Sequence, residues 1–166
     1  LVMCYLSGIS ESRRLHSAHL DSDGQVLARA EEISGRSPEV DDYTAVVTPS
    51  GIEVFWSNEW LRTRGRSQLR MDRSGAPLTP SRLLVLGGYA PHAQLDRDGR
   101  LHLTWLQEPG YYEMKVYYAT YDIGRSTLDE PALVASFNLR SKATRYGPVL
   151  ALSEDRVHIF WSWQYM

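Results

Sequence analysis

Tyr43-Thr-Ala-Val-Val-Thr-Pro-Ser-Gly51-Ile-Glu-Val-Phe-Trp56 is the stretch that decides the fold. An apolar run leads into a Pro-Ser-Gly turn, and a run of alternating character then ends in tryptophan. That is the pattern of two half-buried strands joined by a tight turn. The phrase returns as His92-Ala-Gln-Leu-Asp-Arg-Asp-Gly99-Arg-Leu-His-Leu-Thr-Trp105 and as Pro148-Val-Leu-Ala-Leu-Ser-Glu-Asp-Arg-Val-His-Ile-Phe-Trp161. Alternation puts Val54 with Trp56 on one face, and likewise Leu101, Leu103 and Trp105, and Val157, Ile159 and Trp161.

A second hairpin is interleaved with the first: Leu15-His-Ser-Ala-His-Leu-Asp-Ser-Asp-Gly24, Gln68-Leu-Arg-Met-Asp-Arg-Ser-Gly75 and Val116-Tyr-Tyr-Ala-Thr-Tyr-Asp-Ile-Gly124. Gly24, Gly75 and Gly124 are expected to supply the positive φ of tight turns. Two hairpins sharing a period of roughly fifty residues make a four-stranded antiparallel unit whose apolar faces need neighbours, and stacking units around an axis covers them. The expectation is an all-β chain: a β-propeller of four-stranded antiparallel blades, with boundaries near 1–38, 39–87, 88–140 and 141–166. A solenoid of hairpins or a pair of β-sandwiches is the rival. The best helical pattern, Leu27 to Ile33, reads equally well as an outer strand.

Counting strands gives an open arc of about three to three and a half blades, whereas closed propellers use ~4 to 8. Residue 1 is Leu, and Val2-Met-Cys-Tyr-Leu6 reads as the inside of a strand. The chain is therefore expected to start partway through something larger, with its open edges covered by other protein chains or missing blades.

Composition narrows the partners. The 18 Lys+Arg against 20 Asp+Glu, a net charge of −2, exclude a strongly basic nucleic-acid binder. No apolar run is long enough for a membrane-spanning helix. Lys115 and Lys142 are the only lysines, so nearly all positive charge is guanidinium, suited to forking onto carboxylates or stacking on rings. Cys4 stands alone, which excludes an intrachain disulfide and a Cys-based zinc cluster. The five histidines show no metal spacing that strands would support, and nothing implies a cofactor.

The hairpins resemble the sialidase-like propellers that carry BNR (Asp-box) repeats. The likeness rests on Gln94-Leu-Asp-Arg-Asp-Gly-Arg-Leu-His-Leu-Thr-Trp105 and on Tyr117-Tyr-Ala-Thr-Tyr-Asp122-Ile-Gly124-Arg-Ser-Thr-Leu-Asp-Glu-Pro131. The second is similar to Ser-x-Asp-x-Gly-x-Thr-Trp, with Thr120, Asp122, Gly124 and Ser126 on the box positions and Thr127 in place of its Trp. Asp72 to Gly75 is one residue too long for the box, and Asp21-Ser-Asp23-Gly24 lacks the following Thr and Trp. The resemblance implies an extracytoplasmic, periplasmic or secreted, setting. Enzymes of the family use an arginine triad, a Tyr/Glu nucleophile pair, an acid/base Asp and an Arg-Ile-Pro string. Arg36-Ser37-Pro38 is the nearest string here, so no catalytic residue carries over.

Residues just before each first strand face the mouth of a propeller's channel. Tyr43, Tyr89 and Tyr146 recur there beside Asp42, His92 and Arg145, a set able to stack on and hydrogen-bond a carbohydrate or peptide, or simply to wedge neighbouring blades. Asp41 and Asp42 are adjacent on a strand and point oppositely, so they cannot by themselves flank a glycosidic bond; Glu108 or Glu113 would have to assist. The loop Trp60-Leu-Arg62-Thr-Arg64-Gly-Arg66 places three guanidiniums at alternate positions, suited to a phosphate, a sulfated glycan or an acidic partner, or to a solvated edge that blocks strand pairing. The functional expectation is a non-catalytic binding or scaffold module within a larger protein or multi-chain assembly. The alternative is a fragment of a sialidase-like glycoside hydrolase completed by missing blades.

Overall fold

Strand follows strand through the whole described chain, with no helix among the described residues. The structure is a computed structural model that describes residues 2–8, 13–35, 39–60, 63–110, 113–138 and 143–165. Its strands fall into four antiparallel sheets taken in chain order. The first holds β1 (Val2–Ser7), β2 (Arg14–Leu20) and β3 (Val26–Glu32). The second holds β4 (Val40–Thr48), β5 (Gly51–Trp60), β6 (Thr63–Met71) and β7 (Arg82–Leu86). The third holds β8 (Tyr89–Leu95), β9 (Leu101–Gly110), β10 (Glu113–Asp122), the short β11 (Thr127–Leu128) and β12 (Ala132–Asn138). The fourth is the pair β13 (Ala143–Leu152) and β14 (Val157–Tyr165). Leu27 to Ile33, ambiguous in sequence, is essentially β3.

The turns have a local cause. Asp21, Asp72 and Asp96 each open a loop in which the amide of the glycine three residues on, Gly24, Gly75 or Gly99, donates to the aspartate carbonyl. The aspartate amide donates in turn to the carbonyl four residues on, and its Oδ1 accepts from that residue's amide. The glycines take φ of +81°, +83° and +78°, a region open to glycine at little cost. This Asp-x-x-Gly loop is the turn that these three hairpins share. Gly124 departs from expectation: the left-handed residue in that turn is Ser126, at φ +57°, and Asp122 Oδ1 accepts from the Arg125 amide.

Three apolar clusters tie each sheet to the next. Val2, Cys4, Leu6 and Leu15 of the first sheet pack with Ile52, Val54, Trp56, Leu69 and Met71 of the second. Phe55, Val46 and Leu84 leave the opposite face of the second sheet to join Leu101, Leu103, Trp105 and Tyr121 of the third. Leu106, Met114, Val116 and Phe137 of the third then meet Ile159 and Trp161 of the fourth. Trp56 and Trp105 are essentially inaccessible; burying a large apolar side chain stabilises by roughly 1.5–3 kcal/mol. No sheet closes into a barrel.

The leading strands β4, β8 and β13 lie side by side, and a repeated hydrogen bond joins them. Thr44 and His92 occupy the same register, each opposite the residue before the tryptophan. Thr44 Oγ1 accepts from the Ala93 amide at 3.4 Å, and His92 Nδ1 accepts from the Leu150 amide at 3.1 Å. Each of these three strands also carries one extra residue relative to its partner near its start, between Val40 and Tyr43, Tyr89 and His92, and Tyr146 and Val149. The bulges hold Asp41-Asp42, Ala90-Pro91 and Gly147-Pro148, where a missing amide leaves proline at no cost to the ladder.

Candidate functional site

The three leading-strand tyrosines differ in register. Tyr43 pairs with Trp56, whereas Tyr89 and Tyr146 pair with the residue after the tryptophan, Leu106 and Ser162. Tyr43 packs in the cluster between the first and second sheets, and its hydroxyl donates to the Cys4 carbonyl at 2.5 Å. Burial, with the Cys4 thiol beside it, pushes the phenol above its ordinary value. Tyr89 packs between the third and fourth sheets and donates to Glu108 Oε1 at 2.8 Å. Both behave as wedges with a satisfied hydroxyl.

His92 is half-buried and bridges sheets as an acceptor, so its proton sits on Nε2; burial holds its pKa below the ordinary imidazole value. Asp42 is exposed, and its amide donates to Ser57 Oγ at 3.1 Å. Its neighbour Asp41 is held by Arg13 at 3.1 Å, and Glu113 by Lys115 at 3.0 Å. The backbones of Arg145 and Tyr146 lie in β13 opposite Trp163 and Ser162, and those of Trp60 and Arg64 close the β5–β6 hairpin. The side chains of these four residues, and all of Arg62, lie outside the described residues, as does Arg36-Ser37-Pro38.

Arg66 is described, and it is not on a solvated edge. It is 1% exposed, with its Cζ 3.5 Å from the centre of the Trp105 ring, whose stacking partner is Tyr117 at 5.7 Å. Burial lowers its pKa to about 9.

Two polar constellations lie beyond what the sequence shows, because neither is local in the chain. Glu53, fully buried, accepts from Gln68 Nε2 at 2.6 Å and from Arg70 Nε at 2.5 Å. Arg70 reaches on to the Ile123 carbonyl and to Ser126 Oγ, while Arg82 joins Gln68 Oε1 at 2.9 Å to the Tyr121 hydroxyl at 3.2 Å. These side chains clamp the second sheet to the third. The only signal was register: Glu53 stands where the other two copies have His102 and His158.

The other constellation is a relay in which His102 Nδ1 lies 2.6 Å from the Tyr118 hydroxyl and Nε2 lies 3.0 Å from Asp96 Oδ2. The hydrogen bond from His102, first among its causes, holds the Asp96 carboxyl below its ordinary range, while burial raises the Tyr118 phenol. The three side chains tie the end of β8 to β9 and β10. Asp96 and His102 border a half-open cavity of about 370 Å³ between the β8–β9 and β13–β14 turns, bridged at its rim by an Arg97–Glu154 ion pair at 2.9 Å.

The fourth sheet leaves two large apolar side chains uncovered on one face. Ile159 and Trp161 face the third sheet, and the opposite face carries Phe160, 60% exposed, paired with Val149, 48% exposed. The register equivalents of Phe160 are Phe55 and Thr104, both fully buried. On the first sheet, Val2, Cys4 and Leu6 face the core, and the alternate residue Met3 is 41% exposed. No group of three or more potential metal ligands occurs among the described residues, and no helix among them is long and apolar enough to cross a membrane. Compared with known proteins, the chain matches no family model and no curated sequence.

Proposed function

We propose that the chain is an open arc of β-propeller, sialidase-like in its repeats, that serves as a binding or scaffold module within a larger protein or multi-chain assembly. The observation that carries this reading is the change of environment at one repeat position, from fully buried at Phe55 and Thr104 to 60% exposed at Phe160. A position that is covered by the next sheet wherever one exists, and is apolar where none does, implies a further sheet of the same kind. The leading strands lie edge to edge as strands around a common axis do, which supports the propeller over a sandwich. Tyr43 and Asp41 make contacts between sheets, and Glu108 and Glu113 are held by Tyr89 and Lys115 of their own sheet, so the non-catalytic reading is preferred.

The test is Phe160→Asp in the particle that the chain forms. If the outer face of the fourth sheet is an interface, the substitution dissociates the particle while circular dichroism keeps its β signal. An unchanged sedimentation coefficient would contradict the proposal.

A further inference from the structure

Arg66 poses a question that the scaffold reading does not answer. Its Nε, Nη1 and Nη2 are all buried and have no hydrogen-bond partner, and Trp105 Nε1 is buried without one as well. Buried charges are ordinarily paired and buried donors bonded, because an uncompensated ion loses its hydration for nothing in return. Stacking on Trp105 compensates the face of the guanidinium but leaves its edges, where the N–H groups point. Beside that edge lies Gly88, where a Cβ would stand 3.2 Å from Arg66 Nε and 3.1 Å from Trp105 Cδ1, the atom bonded to the unpartnered indole nitrogen. The absence of a side chain at Gly88 leaves open a flank of both donors, bordered by the Leu106 carbonyl oxygen at 3.4 Å from that Cβ position.

We propose that this is an internal site for a small monovalent inorganic anion, of the chloride class, held by the edge of Arg66 beside Gly88 and the indole N–H of Trp105. A positive group in a low-dielectric gap between two sheets attracts an anion strongly. Access sets the size limit: a side chain only 1% exposed has no opening for a phosphate or a carboxylate-bearing molecule. Chloride needs only a local opening of the gap between the two sheets. The lowered pKa agrees with a guanidinium that lacks its counter-ion. This inference does not depend on what the scaffold binds.

The experiment tracks the thermal midpoint of the intact particle at fixed ionic strength as gluconate is replaced by chloride. The expected result is a saturable rise of a few degrees for the native chain. In Arg66→Leu the rise is abolished, and in Gly88→Ala, which keeps the charge but crowds the flank, it needs at least about tenfold more chloride. Equal midpoints in both salts, or a chloride dependence surviving in Arg66→Leu, would overturn the proposal. Should Arg66→Leu not fold, Gly88→Ala decides: a midpoint rise that needs at least about tenfold more chloride than in the native chain supports the site, and the same chloride dependence in both refutes it.

Discussion

At the scale of single residues, the tightest constraint is where the bulges of β8 and β13 touch. A Cβ on Gly147 would stand 2.6 Å from Ala90 Cβ, and Ala90 itself holds a left-handed φ of +50°. Gly147→Ala should therefore cost roughly 1–3 kcal/mol through overpacking. Ala90→Gly, which removes both the left-handed strain and the atom in the way, should be stabilising by about 1 kcal/mol and should rescue Gly147→Ala. Denaturant midpoints of the two single variants and the double variant check this, and additive effects would contradict the contact. His92 gives a pH dependence. Its folded pKa lies below its unfolded value of 6.5, so the unfolded chain takes up the proton first. The contribution of His92 is full above that value and is lost as pH falls through the folded pKa. Denaturant titrations should show stability declining with acid from about pH 6.5, and His92→Gln should flatten the decline. None of this was legible in the sequence: Tyr89-Ala-Pro and Tyr146-Gly-Pro were visible as strings, but only pairing reveals that they are bulges in contact.

At the scale of elements, alternation and turn chemistry made the hairpins readable. The faces assigned to Val54 with Trp56 and to Leu103 with Trp105 are the faces that pack. Asp72-Arg-Ser-Gly75, one residue too long for an Asp-box, is the normal length for the Asp-x-x-Gly loop, which the sequence reading did not single out. The loops separate two causes of glycine use. Gly99, at φ +78° with open space around it, should cost about 1 kcal/mol when replaced by alanine. Gly51, where a Cβ would meet the Met71 carbonyl oxygen at 2.2 Å, should cost several times as much. Thermal melts of the two variants measure the difference, and equal losses would show that φ alone matters. The Glu53 clamp joins sheets rather than strands. Glu53→Ala strands Arg70, 17% exposed, against the third sheet and should cost about 3–5 kcal/mol, whereas Glu53→Met with Arg70→Met should cost far less. Arg-rich composition hinted at forked contacts, but spacing along the chain could not pair Glu53 with a turn some seventy residues away.

At the scale of the whole molecule, three interfaces between successive sheets bury the large aromatic residues, and a fourth face lies open at Phe160 and Val149. Burial is what sheet-on-sheet packing supplies, so the uncovered side chains forgo the stabilisation that their buried register equivalents receive. The sequence disclosed the antiparallel hairpins because repeats are a property of the chain, but not the short β11 that makes the third sheet five-stranded. It could not disclose the open face as a site, since Phe160 has the same local pattern as Phe55 and differs only in having no further sheet packed over it. The most direct measurement is the mass of the particle formed by this 18.9 kDa chain under native conditions, taken together with its unfolding profile. An open arc predicts a larger particle, made of copies or of partner chains, whose dissociation uncovers Phe160 and precedes or accompanies unfolding. A monodisperse 18.9 kDa monomer that unfolds in one cooperative step would contradict it.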